Sequence, residues 1–398
     1  MIETVKLGDV ATVKGGKRLP KGTNLITEPN SHPYIRVRDL NNKSTLELNN
    51  DFEYVDDETQ KSIARYIVGA GDIVLSIVGT IGLVAIVGES LHKANLTENC
   101  VKLTQLDGVD RDYLYYYLKS DLGQAEIAKG TVGAVQAKLP IKNIQDIDIV
   151  LPDISTQQKI SSILRSIDDK IENNQKINDN LEQQAQSYFQ ELFVNNADPE
   201  WTTGTISDLG TIVGGSTPSK AKPEYYTESG IAWITPKDLS INKSKFISHG
   251  ENDITELGLK NSSAAIMPEG TVLFSSRAPI GYIAIAAGEV TTNQGFKSVV
   301  PKPEIGTPFV YFFLKHNLPV IEGMASGSTF KEVSGSTMKN IPAVIPDVDT
   351  LARFNDFCTP IFAQQRILEE QSQSLAALRD NLLPKLMSGE IDVSDIQL

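Results

Sequence analysis

From Leu151 to Phe193 apolar residues recur in alternating steps of four and three. Ile160, Leu164, Ile167, Ile171, Leu181 and Leu192 lie on this track with Ala185 and Tyr188, and Asn174 and Asn178 interrupt it. The spacing predicts one long helix with a heptad seam, apolar apart from the two asparagines. Pro152 precedes the helix, and either Asp153 or Ser155 can cap its N-terminus. A second stretch, Ile345 to Ile391, repeats the pattern. Displaced by 194 residues, Ile361 falls on Ile167, Leu368 on Asn174, Leu375 on Leu181, Leu382 on Tyr188 and Leu386 on Leu192. Either seam alone would face water, so each helix is the natural partner of the other.

The segments between the helices are also written twice. At an offset of 199, LGDVATVKGGKRLPKG (7–22) matches ISDLGTIVGGSTPSKA (206–221), and YIRVRDL (34–40) matches WITPKDL (233–239). The correspondence continues from GDIVLSIVGTIGLVAIV (71–87) to GTVLFSSRAPIGYIAIA (270–286), then from YLYYYL (113–118) to FVYFFL (309–314) at 196. Short β-branched runs punctuated by Gly or Pro read as strands and turns, while Tyr113–Leu118 and Phe309–Leu314 read as the apolar faces of short helices. Each copy is therefore mixed α/β (α+β). The predicted order is a domain over 1–152, a helical region over 153–197, a second domain over 198–346 and a second helical region over 347–398.

Linker lengths constrain the helix pair. The first helix ends near Phe193 and the second domain starts by Trp201, and that domain runs directly into the second helix near Asp347. A helix of about 40 residues spans about 60 Å. A short link cannot return the chain over that distance, so the helices are expected to be antiparallel, with the two copies related by a pseudo-two-fold axis.

Hydrophobic residues make up 40% of the 398 residues and charged residues 22%, an ordinary globular composition. Cys100 and Cys358 form no disulfide framework, and no Cys/His cluster has metal-ligand spacing, so a reducing cytoplasm is expected. The opening MIETVKLGDV lacks the basic and apolar regions of a signal peptide. Ile73–Val87 carries no charge over 15 residues, but it is short for a membrane span and contains Gly79 and Gly82, so strand–turn–strand is predicted. Net charge is −13, distributed as −4, −2, −3 and −4 over residues 1–154, 155–197, 198–348 and 349–398. A nucleic-acid partner would therefore need basic residues gathered on one face, or phosphate contacts supplied by other subunits.

No phosphate-binding Gly-x-x-x-x-Gly-Lys-Ser/Thr loop and no Asn/Asp-Pro-Pro-aromatic methyl-transfer motif is present. Asp153, Asp168 and Lys170 imitate a metal-dependent nuclease, but the second copy has Phe362-Ala363-Gln364 in place of Asp168-Asp169-Lys170. They are read as a cap and a solvated helix face. His32, His92, His249 and His316 have no recurring partner. A non-catalytic chain without a metal is expected.

Binding candidates are polar residues on the repeated frame. Lys14, Lys17, Arg18 and Lys21 flank Gly15-Gly16, and Thr217, Ser219, Lys220 and Lys222 follow Gly214-Gly215. Backbone donors, hydroxyls and cations in such loops suit phosphate oxygens. Arg36 and Arg38 match Thr235 and Lys237, ahead of Asp39 and Asp238, which are expected to brace the loop. Ser76 and Thr80 match Ser275 and Pro279, while Ser276 and Arg277 change the polar content; Arg277 offers a fork for guanine edges. Asn293, Gln294, Thr329 and Lys331 complete the set, the last two in a loop matching Thr131–Gln136.

With the duplicated plan, Gly-Gly-Ser-Thr-Pro-Ser (214–219), Trp233-Ile-Thr-Pro-Lys-Asp-Leu239, Arg277-Ala-Pro-Ile-Gly281, Thr292-Asn-Gln-Gly295 and Leu382-Leu-Pro-Lys-Leu-Met-Ser-Gly389, the chain resembles the specificity subunits of type I restriction–modification systems over nearly its whole length. The resemblance implies two target-recognition domains, each reading one half of a bipartite double-stranded DNA site. It implies helices that set the half-site separation and dock two methyltransferase subunits, restriction subunits joining afterwards. No cofactor belongs to this chain on that reading; S-adenosylmethionine would be bound by the methyltransferase subunits. The first copy departs from the second at Gly-Gly-Lys-Arg-Leu-Pro, Arg-Val-Arg-Asp-Leu and Gly-Thr-Ile-Gly, which implies two different half-sites. Two other readings are a protein-binding adaptor, favoured by the acidity, and a nuclease using Asp153, Asp168 and Lys170.

Overall fold

The computed structural model describes residues 3–40, 44–133, 135–327 and 331–396. The heptad tracks form helices over Ile154–Gln190, continued by a π-helical stretch Glu191–Asn195, and over Val348–Met387. Of the two candidate caps on the first, Asp153 is the one used. Its carboxylate accepts the amide of Thr156 at 3.1 Å, as Asp347 accepts that of Thr350 at 2.8 Å on the second helix. Two compact units result, one built from Met1–Glu172 with Gln373–Leu398 and the other from Asn173–Ser372.

In the first unit a five-stranded sheet has the order Thr12–Gly15, Cys100–Thr104, Ile73–Ser76, Val84–Val87, Thr45–Leu46, antiparallel except at the last pair. A three-stranded sheet joins Glu53–Tyr54, Pro33–Ile35 and Asn95–Leu96, and Glu3–Lys6 pairs with Asp148–Leu151. Every residue of Ile73–Ser76 and Val84–Val87 is buried, which explains the uncharged run as strand, turn and strand covered on both faces. No helix among the described residues is long and apolar enough to cross a membrane. All six residues of Tyr113–Leu118, on the helix Arg111–Lys119, are buried. They share one core with Ile160 and Leu164 of the first long helix and with Leu386, Met387 and Val393. Within this unit the helices run antiparallel: Arg379 donates to Asp168 at 2.7 Å, whereas Lys159 donates to the carbonyl of Ser394 at 2.5 Å.

The second unit repeats this plan. Its five-stranded sheet has the order Gly210–Gly214, Lys297–Pro301, Val272–Ser276, Ile280–Ala286, Phe246–Ile247. Tyr226–Thr227, Asn252–Ile254, Ile231–Ile234 and Thr291–Thr292 form the smaller sheet, and Thr202–Thr205 pairs with Pro342–Ile345. The helix Thr307–His316 buries Pro308 through Leu314 against Ala185 and Phe189 from one long helix and Phe354, Cys358 and Phe362 from the other. Here too the long helices are antiparallel. Asn174 donates to Gln371 at 2.9 Å, and Gln365 donates to the carbonyl of Asn178 at 3.2 Å.

The seam is less uniform than a heptad track predicts. Ile160, Leu164, Ile167, Leu368 and Leu386 are buried, while Ile171, Leu181, Leu192, Ile361, Leu375 and Leu382 are only half-buried. The domain helices and sheets, and not the partner coil alone, cover parts of each long helix, so the buried stripe shifts to residues such as Phe362 and Ala185. Polar residues pin domain to helix. Glu182 accepts Lys245 at 2.7 Å, Lys315 at 2.6 Å and the Tyr311 hydroxyl at 3.1 Å, and the Lys245 ammonium lies 3.3 Å from the Phe362 ring centroid. Burial opposes ionisation of Glu182, but the two lysines outweigh it and hold the carboxyl at about 2; burial pushes Lys245 down to about 8.

Candidate nucleic-acid interface

Both glycine loops are tied down by the same bonds. Lys17 donates its amide to the carbonyl of Leu96 at 2.8 Å, and Ser216 donates to Thr292 at 2.8 Å. The Tyr34 hydroxyl then donates to the carbonyl of Lys17 at 2.9 Å, and the Trp233 indole donates to that of Ser216 at 3.0 Å. A Cβ on Gly16 would overlap the carbonyl of Thr97, and one on Gly215 that of Asn293. The glycines therefore serve close backbone approach. The expectation that these loops hold free backbone donors fails at Gly16, Lys17 and Ser216, whose amides are spent on the sheets.

In the second copy four separated segments converge on a cleft of about 510 Å³, lined by Thr217 and Lys220, by Thr235 and Lys237, by Arg277, and by Asn293 and Gln294. The short helix Pro236–Ile241 begins at Thr235, whose amide donates to buried Asp238 at 2.7 Å, fixing the stem on which Lys237 stands. Lys237 is exposed and pairs with Glu251 at 2.5 Å; the hydrogen bond to Glu251 raises its pKa. The Thr217 hydroxyl donates to the Gln294 side chain, and Asn293 turns its carboxamide oxygen to the amide of Gly295 at 2.8 Å. Lys220 and Ser219 are exposed, and Lys222 lies 3.7 Å from Glu224. A neighbouring cleft of about 690 Å³ is lined by Arg277, Pro279, Lys331 and Glu332 among others. Thr329 lies outside the described residues. Exposed ion pairs of this kind contribute about 0–1 kcal/mol, so a phosphate can exchange for the carboxylate at little cost.

Three hydroxyls proposed for contact point inward instead. Ser76 and Ser275 are fully buried; each donates to the carbonyl four residues on (Thr80, 2.7 Å; Pro279, 2.8 Å) and accepts the amide seven residues on (Leu83, 2.8 Å; Tyr282, 2.7 Å). Ser276, also fully buried, donates to the carbonyl of Gly295 at 3.0 Å. These serines staple the hairpin whose tip carries Thr80 in one copy and Arg277 in the other. Thr80 itself is exposed.

In the first copy Lys14 and Lys21 are exposed, Arg18 pairs with Glu98 at 2.6 Å, and the Lys17 ammonium stands 5.6 Å from the Tyr66 ring centroid. Arg36 forks onto Asp39 at 3.0 and 3.1 Å and also meets Glu53, so it braces the loop as Asp39 does. Arg38, more exposed, pairs with Glu53 at 2.9 Å. Lys138, Lys297 and Glu332 escaped sequence reading. Lys297 is half-buried, 3.8 Å from Glu332, and burial lowers its pKa. Only the fold pairs Lys138 with Glu332, through matching bridges to Val78 and Val132 in one copy and to Arg277 and Ser326 in the other.

The nuclease-like set is not a site. Asp153 is a cap and Lys170 is exposed. Asp168, expected on a solvated face, is buried, accepting the Tyr116 hydroxyl at 2.7 Å and Arg379 at 2.7 Å. Among the described residues no group of three or more His, Cys, Asp or Glu could hold a metal ion.

Comparison with known proteins agrees with this duplicated frame. The family model described as the type I restriction modification DNA specificity domain matches residues 2–183 and again 199–383. The type I restriction enzyme MjaIX specificity subunit of Methanocaldococcus jannaschii is 38% identical over 191 residues, 46% of this chain and 44% of that protein, so the match spans less than half of that relative. The HindI specificity subunit of Haemophilus influenzae is 24% identical over 64% of this chain and 71% of its own length. A type I restriction-modification S subunit from M. genitalium, known by crystal structure, shares the fold over 97% of this chain and 96% of its own, with a TM-score of 0.62 and 18% identity. The chain belongs to the family of type I restriction modification DNA specificity domains, and it carries that domain twice.

Proposed function

We propose that this chain is the sequence-reading, non-catalytic specificity subunit of a type I restriction–modification complex, each of its two domains reading one half of a bipartite duplex DNA target. The observation that carries the reading is the convergence of Thr217, Lys220, Thr235, Lys237, Arg277 and Gln294 from four segments onto one cleft, beside a glycine loop that both copies tie down through the same backbone carbonyl. Cations there position phosphates, and Arg277 and the amide side chains address base edges. The paired long helices act as the spacer and as the docking surface for two methyltransferase subunits, which bind S-adenosylmethionine and make much of the phosphate contact; restriction subunits join that assembly. Such sharing reconciles DNA binding with a net charge of −13.

The test is binding of duplex DNA by the chain assembled with its methyltransferase subunits, with methylation mapped by sequencing. A bipartite motif and an affinity that falls steeply and log-linearly with salt are expected. In addition, removing seven residues from each long helix in register shortens the pair by about 10 Å, and should shorten the spacer by about three base pairs without altering either half-site. Altered half-site sequences would count against the spacer role.

A further inference from the structure

The two copies share one hairpin frame but differ in the side chains placed on it. In the second copy Arg277 bridges Glu332, Glu332 also bridges Ser326, and the amide of Val333 donates to the carbonyl of Ser276 at 2.9 Å. In the first, Val78 bridges Lys138, Lys138 bridges Val132, and the amide of Leu139 donates to the carbonyl of Ile77 at 3.0 Å. The backbone hydrogen bonds are the same; an Arg/Glu pair has become a Val/Lys pair. Lys102, aligned with Lys297, is also reassigned: it pairs with Asp72 at 2.9 Å, whereas Lys297 lies 3.8 Å from Glu332.

Resting on the functional reading above, we infer that this cross-strand pair is a specificity-determining position, with Arg277 contacting a base and Glu332 acting as its positioning residue. Arg277 lines both clefts of the second unit, and its guanidinium stands 3.6 Å from the Glu332 carboxylate. A guanidinium forks onto guanine N7 and O6 best when its plane is held, and the Glu332 carboxylate, bridged to Arg277 through the backbone and 3.8 Å from Lys297, supplies that hold. A carboxylate facing DNA would otherwise be a liability through its repulsion of phosphate. In the first copy Lys138 beside Val78 presents a single cation with no fork, so the equivalent position of the other half-site follows a different rule.

The test measures binding of the assembled complex to its target and to all single-base variants of both half-sites, for Arg277→Gln, Glu332→Gln and Glu332→Asp. Arg277→Gln should flatten the preference at one position of one half-site by at least about fivefold, the lower end for a bidentate base contact. Glu332→Gln should flatten the same position, Glu332→Asp should retain most of the preference, and the other half-site should be unchanged. If Glu332→Gln instead tightens binding to every sequence alike, Glu332 is only an electrostatic mask and the inference fails; it also fails if Arg277→Gln weakens all sequences evenly. A wild-type complex with no sequence preference would remove the functional reading itself, and this inference with it.

Discussion

Replacing Glu182 by Gln tests the pin between the second domain and the first long helix. The carboxylate is shared by Lys245, Lys315 and Tyr311, with Lys245 packed on Phe362 and only 6% of its side chain exposed. Holding Glu182 at about 2, against an ordinary value of 4.5, stabilises the fold at neutral pH, a contribution offset in the resting pair by the burial that holds Lys245 at about 8. Because the folded value is depressed, that stability is complete above pH 4.5 and is lost as pH falls towards 2. The carboxamide leaves a buried ammonium without its contacting carboxylate, Glu369 remaining only on the neighbouring backbone amides, so Glu182→Gln should cost about 3–5 kcal/mol at pH 7. Both tryptophans, Trp201 and Trp233, belong to the second unit, so urea unfolding followed by tryptophan fluorescence reports that unit alone. Two further readouts sharpen the test. The variant should lose its share of the acid sensitivity between pH 4.5 and 2, and the double variant Glu182→Gln with Lys245→Met should recover much of the loss, since an apolar chain suits the Phe362 face. A loss below about 1 kcal/mol for the single variant, within the range of an exposed pair, would refute the reasoning.

Lys237→Ala should weaken DNA binding by the assembled complex about equally for all sequences and lower the log–log salt slope by about one, read from a salt titration. Ser275→Ala removes the staple between Pro279 and Tyr282 and leaves the half-buried amide of Tyr282 without this acceptor, so it should cost about 1–3 kcal/mol in the fluorescence-detected unfolding of the second unit. Ser76→Ala, which cuts the matching staple in the first unit, should leave that transition unmoved.

Much of the fold was readable in the sequence because it rests on patterns that repeat. The heptad track gave both long helices, and the 199-residue offset predicted two copies, whose five-stranded sheets and glycine loops coincide. The opposed direction of the coils followed from linker length and is seen within each unit. What failed was the direction of individual side chains. Ser76, Ser275 and Ser276 look like polar loop residues in sequence, yet a hydroxyl that closes a turn onto a backbone carbonyl is indistinguishable there from one facing solvent. Asp168 likewise shares a charged cluster with Asp169 and Lys170, and only the arrival of Tyr116 and Arg379, 52 and 211 residues away, makes it a buried partner. Arg36 reads as a free cation until Glu53 and Asp39 are seen to hold it. The second-copy cleft was legible residue by residue but not as a whole, because four segments had to be folded together before their polarity had a common address.

The first compact unit draws Leu386, Met387 and Val393 into a core otherwise made from residues before 173. During synthesis, therefore, the half that leaves the ribosome first must wait about 200 residues for its missing wall, while the later half closes on segments already translated or close behind. A premature stop near codon 385 would leave the second domain's packing largely intact and spoil the older half. Defects mapped late in the reading frame should thus surface as misfolding of the opening domain.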